Sequence, residues 1–365
     1  MTNKNIEYIV VTTSSSLGNA PMQSPPLVSL VIVLLSAIPA MGGIAIDVLV
    51  PAYANPCCGG GPNMWSSLTA SARDADRNYQ LHAIFNPASG PGVRRDPNYV
   101  TATGNGPLKD FRDAGGITHG YVATTYADRP LDQVKADVDA YLTGHYAGLV
   151  DGIFFDEMSN DLADVGYYRE LQSYVKAIKP DARTFGNPGT TFVNNPSRQS
   201  AFSTNDFVQS LDTIMTFEND SNSYQRSYRS FPHLQGLDRH QLAHIVHTHD
   251  DWDASLLDLA ATRGAGFLYV TDDRMGNDNN PYNTLTSDWN SFTADVTKHN
   301  AKLIPEPSSG ALTASAALLL LAAFRRQLGT TVSRTHGRAT ARWDGPKPCR
   351  QPVKGKSPSQ QAVQK

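Results

Sequence analysis

Cysteine is nearly absent from this chain: 365 residues hold three, with Cys57 and Cys58 adjacent and Cys349 far downstream. No spacing among them suits a zinc site or a disulfide framework, so a core rather than staples must hold the fold. The adjacent pair leaves two readings, a vicinal disulfide or two loop thiols. Basic charge is scarce in the body. From Arg325 onward ten Lys and Arg face one Asp, net +9, so the preceding residues carry −12 within an overall −3. An acidic body argues against nucleic acid as a partner, because phosphate recognition needs a basic surface. Neither Gly59-Gly60-Gly61 nor Gly90-Pro91-Gly92 extends into a Walker or dinucleotide fingerprint. No phosphate cofactor is expected.

Long apolar runs are limited to the two ends. Leu27 to Ala40 has the length and small-residue exit of a signal-peptide apolar region, so residues 1–45 read as an apolar N-terminal segment. Near the other end, Ile304-Pro305-Glu306-Pro307 precedes an apolar stretch from Gly310 to Phe324 and then Arg325-Arg326. This order resembles the PEP-CTERM sorting signal of Gram-negative bacteria. Residues 301–326 are accordingly assigned to a sorting segment and anchor, and 327–365 to a basic tail. Arginines after an apolar helix stay cytoplasmic, which leaves the body on the far side. The expectation is an exported protein at the cell surface or outside the cell. Its partners would be the export and sorting machinery, and it would touch the membrane through the apolar segments.

Between these ends, residues 46–300 alternate short apolar runs with longer amphipathic ones, the signature of repeated βα units. Eight strands are predicted: Ile46 to Tyr53, Gln80 to Pro87, Thr118 to Tyr126, Asp151 to Glu157, Arg183 to Pro188, Thr213 to Asn219, Leu242 to His249 and Gly266 to Asp272. Helices are predicted at Leu131 to Leu142, Leu162 to Ile178, Trp252 to Thr262 and Trp289 to His299. Eight units in about 250 residues suit a single (β/α)₈ barrel of the TIM type.

Strand after strand ends in a side chain able to hydrogen-bond or titrate, where such barrels build their sites. Glycosidic cleavage needs one protonated carboxyl and one carboxylate, so acids directly after apolar strands carry the most weight. Gly152-Ile153-Phe154-Phe155 runs into Asp156 and Glu157, and Ile214-Met215-Thr216-Phe217 runs into Glu218. In a regular strand Asp156 and Glu157 face opposite ways, so only one meets a ligand unless the backbone bends. Period-two alternation puts Ile214, Thr216 and Glu218 on one face, toward the barrel mouth. Tyr53, Asn86, Tyr121, Tyr126, Asn187, His247 and Asp272 are the candidate substrate contacts, with Tyr224 and Tyr269 as further rings able to stack on sugars.

The series Val50-Pro51-Ala52-Tyr53, Phe85-Asn86-Pro87-Ala88-Ser89-Gly90-Pro91-Gly92, Gly120-Tyr121-Val122, Gly152 to Glu157, Asn187-Pro188-Gly189-Thr190 and Phe217-Glu218 resembles the spherulation-specific family of spherulin-four-like proteins. The resemblance spans about Ile46 to Lys298 and implies a TIM-like barrel. It further implies endo-acting hydrolysis of α-1,4-linked N-acetylgalactosamine in a secreted exopolysaccharide, with acidic site positions at Asp156, Glu157 and Glu218. The chain departs from the family in its longer Cys-Cys-Gly-Gly-Gly loop and its sorting tail.

The resulting expectation is a retaining endo-glycosidase. Glu157 and Glu218 would be the acid/base and nucleophile pair, and Asp156 an electrostatic support. A non-catalytic carbohydrate-binding protein is the rival from another class. A metal-dependent deacetylase would need His247-Thr248-His249 to aim two imidazoles at one ion, but the sequence supplies no third ligand and no metal is assigned. The Asp- and Asn-rich run from Asp272 to Asn280 lacks EF-hand spacing and reads as a solvated loop.

Overall fold

The computed structural model describes residues 45–189, 205–228, 234–276 and 280–303. The apolar N-terminal segment before residue 45, the sorting segment from Ile304 and the basic tail lie outside the described residues. Among the described residues no helix is long and apolar enough to cross a membrane.

Eight parallel strands close into a barrel in sequence order: β1 Asp47–Ala52, β2 Leu81–Phe85, β3 Ile117–Ala123, β4 Gly152–Asp156, β5 Arg183–Gly186, β6 Thr213–Asp220, β7 Leu242–His247 and β8 Phe267–Val270. The ring is completed by β1 against β8, with Asp47 opposite Phe267 and Val48 opposite Leu268. The single-domain (β/α)₈ barrel expected from the alternating pattern is the observed fold. Each predicted strand is present. Several end earlier than predicted, because the terminal polar residues belong to the loops that form the mouth.

The helices that follow are α1 Gly61–Arg73, α2 Pro107–Asp113, α3 Leu131–Leu142, α4 Val165–Ile178, α5 Asn205–Val208, α6 Ser221–Arg226, α7 Ser255–Thr262 and α8 Trp289–Ala301. Their buried residues recur at helical spacing. Examples are Val134, Val138 and Tyr141 on α3, and Val165, Tyr168, Leu171 and Val175 on α4. Two predicted starts move inward. Residues Leu162–Asp164 form a separate 3₁₀ turn capped by Asp161, and α7 begins at Ser255 because Trp252 packs against Phe292 of α8.

The barrel interior is aromatic. His82 and His119 lie edge to edge with nearly parallel planes and share a 2.8 Å hydrogen bond, with Phe267 and Phe185 edge-on to them. Tyr121 and Phe154 form the next layer toward the mouth. Gly120 carries no side chain because Tyr141 of α3 fills the space its Cβ would need. That contact fixes the outward face of β3 and leaves Tyr121 pointing in.

Candidate active site

The C-terminal ends of the strands enclose a cavity of about 700 Å³. Its walls include Tyr53, Asn86, Tyr121, Tyr126, Asp156, Glu157, Asn187, Glu218 and His247, nine of the ten residues formed by the three acids and the seven candidate substrate contacts. Asp272 is not among them. Its carboxylate accepts hydrogen bonds from the backbone N–H and hydroxyl of Ser287, so it ties the loop after β8 rather than facing a ligand. Tyr224 and Tyr269 are also removed from the cavity, since both are fully buried in the core.

Asp156 and Glu157 both reach the cavity because the strand does not stay regular. Phe154 and Asp156 face inward by alternation, and Glu157 then adopts a left-handed backbone, φ 50°. This turn is held from the neighbouring loop. The Glu157 carbonyl accepts from the Tyr126 N–H at 2.7 Å and from the Thr124 hydroxyl at 2.9 Å. Thr125, Tyr126 and Ala127 are themselves left-handed in succession. Non-glycine residues in this region cost of order 1–3 kcal/mol each and persist only where their surroundings hold them. Tyr126, at 59% exposure, takes up no core packing in return and stands free on the cavity wall.

Glu218 arrives in the mouth as expected, but by a different route. The ladder between β6 and β7 slips between Met215 and Phe217, so Met215 pairs with Ala243 while Phe217 pairs with His244 and Glu218 with Ile245. One extra residue at Thr216 breaks the alternation. Phe217 packs outward on Tyr224 and Tyr228, at 4.6 and 5.7 Å between ring centres, on the face opposite Glu218 that alternation also gave it. Bulges re-aim side chains in this way next to functional sites.

Asn187, at the end of β5, joins the acids. Its Nδ2 donates to Asp156 Oδ1 at 2.8 Å and to Glu218 Oε2 at 2.7 Å, while its Oδ1 accepts from the Gly189 N–H. The two carboxylate oxygens can therefore be no further apart than the sum of those bonds, about 5.5 Å. Expected as a substrate contact, Asn187 instead spends its amide holding two acids together. Each acid also has a phenol. Tyr121 hydrogen-bonds Asp156, and Tyr282 donates to Glu218 Oε1 at 2.6 Å. Tyr53 stands between these phenols, edge-on to both rings at 5.6 and 5.7 Å.

Among the described residues, no Lys or Arg lines the cavity. Arg129 and Arg169 pair with Asp137 and Asp206 instead of with the mouth acids. Burial and then the charge of Glu218 push Asp156 up to about 7, against hydrogen bonds from the Glu157 N–H, Tyr121 and Asn187. Burial likewise holds His247 below the ordinary imidazole value despite the nearby Glu218. The site thus sets a carboxyl that holds its proton to near neutrality beside a second acid and a neutral imidazole.

The two imidazoles of His247-Thr248-His249 do not share a face. Thr248 is left-handed, φ 57°, and His249 turns away to bond Ser221 Oγ at 2.8 Å. Tyr282, Asn280, Asn219, Ser89 and Met275 line the cavity without having been singled out. For Tyr282 a signal existed: it is an aromatic just past the polar run Asp272 to Asn280, two residues beyond the stretch read as a solvated loop.

A closed (β/α)₈ barrel with paired acids at its C-terminal mouth is the class that this fold and cavity define. The chain belongs to spherulation-specific family 4, whose profile it matches over residues 47–296. It is 29% identical over 245 residues to Spherulin-4 of Physarum polycephalum, covering 66% of this chain and 67% of that protein. Its fold is similar to that of Aspergillus clavatus Sph3, crystallised in complex with GalNAc, with a TM-score of 0.52 and 24% identity, covering 70% of this chain and 98% of that one.

Proposed function

We propose that this protein is an endo-acting glycoside hydrolase that cleaves an amino-sugar exopolysaccharide of the α-1,4-linked N-acetylgalactosamine type. One observation carries the reading: Asp156 and Glu218 are clamped by a single amide nitrogen in an open, tyrosine-walled cavity, and Asp156 keeps its proton to about 7. That is the pairing glycosidic cleavage uses, a proton donor and a second carboxyl group held a fixed distance away. Family membership and the GalNAc in the similar Aspergillus protein support the sugar class.

In this reading Asp156, rather than Glu157, is the general acid. It protonates the leaving glycosidic oxygen as the anomeric bond breaks. Glu218 forms the bond to the anomeric carbon, or steers the substrate's own acetamido oxygen to do so. Water then cleaves that intermediate while Asp156 takes back a proton. A separation of about 5 to 5.5 Å accompanies retention and roughly 6.5 to 9.5 Å inversion, so the shared Asn187 supports retention. Glu157 is assigned to sugar hydroxyls at the wall. Tyr53 and Tyr126 are assigned to stacking.

Incubation with N-acetylgalactosamine oligomers, read by new reducing ends and by NMR of the first anomer released, tests this reading. Retained configuration is expected, and absence of new reducing ends across galactosamine polymers of every acetylation state overturns the enzyme reading in favour of a binding protein. Export is part of the proposal and rests on the terminal segments of the sequence. Protease accessibility of the body in spheroplasts tests it, and a body protected in the cytoplasm refutes it.

A further inference from the structure

The turn between β1 and α1 carries a feature unrelated to the acids. Cys57 and Cys58 are both free and exposed, with their sulfur atoms 2.7 Å apart. The pair is clamped between two turns, since the Cys58 N–H bonds the Asn55 carbonyl and the Gly61 N–H bonds the Cys58 carbonyl. Asn55 holds the turn from the side: its Oδ1 accepts the Cys57 N–H at 3.1 Å and its Nδ2 donates to Asp96 at 2.9 Å. Two glycines then allow close approach. A Cβ on Gly61 would strike the Asn55 carbonyl, and one on Gly60 would meet Asn283 O at 2.4 Å. The dithiol turn therefore rests directly on the loop after β8, one residue from Tyr282, which bonds Glu218.

We infer that Cys57 and Cys58 form a dithiol modification site that reacts with small-molecule disulfides and closes on itself as a vicinal disulfide. Thiol–disulfide exchange balances the step. One protein thiolate attacks the small disulfide, forms a mixed disulfide and expels one small thiolate. The second thiol gives its proton to water and attacks the protein-side sulfur, expelling the other small thiolate. Two protein thiols are oxidised and one small disulfide is reduced to two thiols. Contact between the sulfurs favours the second attack over release, and exposure admits the reagent. Because the turn abuts the loop of Tyr282, closure of the ring tightens the wall beside Glu218.

The full chain carrying Cys349→Ser, treated with glutathione disulfide, tests both parts. Both thiols are expected to disappear together, with an intact mass lower by two hydrogens and no retained glutathione. Adding Cys57→Ser to that chain should leave one retained glutathione on Cys58. Hydrogen exchange in peptides covering residues 280–288 should slow on oxidation. Stable glutathione adducts on the chain with both cysteines, a covalent dimer, or two thiols that stay titratable would overturn the site. Unchanged exchange at 280–288 would overturn its coupling to the mouth.

Discussion

Both ends of the barrel are ringed with carboxylates, and they are treated in opposite ways. At the floor, Asp151 accepts two hydrogen bonds from Arg112 and one from the Thr118 N–H, with Lys179 at 3.6 Å. Burial alone would raise this acid, but those partners outweigh it and bring it to about 2. Asp212 follows the same logic with Lys176, Gln172 and the Thr184 N–H, and Asp47 with His240, the Gln80 N–H and Arg239. At the mouth Asp156 has phenol and amide partners and, among the described residues, no cation, and it moves the other way. Floor acids are ionised parts of the scaffold. At the mouth Asp156 is left with a proton to give, and the backbone strain at Glu157 and Tyr126 lies at the same end.

The largest expected effect separates the two ends outright. Glu218→Gln keeps the shape of the site but removes the carboxylate, and turnover on oligosaccharides should fall roughly a thousandfold, about 4 kcal/mol, while binding by calorimetry persists. Near-normal turnover would make Glu218 a rim residue and erase the contrast with the floor.

The floor should give the mirror image. Asp151→Asn strands Arg112 and should cost about 2–3 kcal/mol in chemical denaturation. Its kcat and KM should stay within a factor of about two of the parent. A large loss of kcat at unchanged stability would mean that the floor takes part in the chemistry.

Titration sharpens the comparison further, because the buried groups pull in opposite senses. Burial depresses His119 and His244 to about 3, so below about 6.5 the unfolded chain binds protons that the folded chain does not. Their contribution is complete above that pH and is lost as pH falls toward 3. Asp156 is raised, so its effect runs the other way: stability is lost as pH climbs from about 4 through about 7. Melting temperatures of Asp156→Asn against the parent should coincide near pH 4 and separate by pH 8, with the variant the more stable. Coincident curves across that window would mean that Asp156 titrates like an ordinary surface acid.

The smallest effect concerns Tyr282. Removing its hydroxyl in Tyr282→Phe frees one Glu218 oxygen and should lower kcat about tenfold, near 1.4 kcal/mol. KM should hardly change, and the pH–rate profile should move because the hydrogen bond acts on the carboxylate whose charge helps raise Asp156. An unaltered profile would reduce Tyr282 to a packing residue.

Alternation of apolar strands and amphipathic helices, with polar residues at the strand ends, by itself determined the barrel, the end that carries the cavity and the three acids in it. These are local properties: a run such as Gly152 to Asp156 announces a buried strand and its polar exit without knowledge of its neighbours. Which acids pair was decided only in three dimensions. Alternation predicted that Asp156 and Glu157 diverge, but a left-handed residue held by the β3 loop brings both to the cavity. It aimed Glu218 inward by a parity that the bulge at Thr216 breaks, and the same residue arrives by register instead. Asn187 and Tyr282 owe their roles to contacts across 31 and 64 residues of chain. Hydrogen-bond partners so distant in sequence leave no periodic trace in it, and closure of the barrel is what brings them within bonding distance.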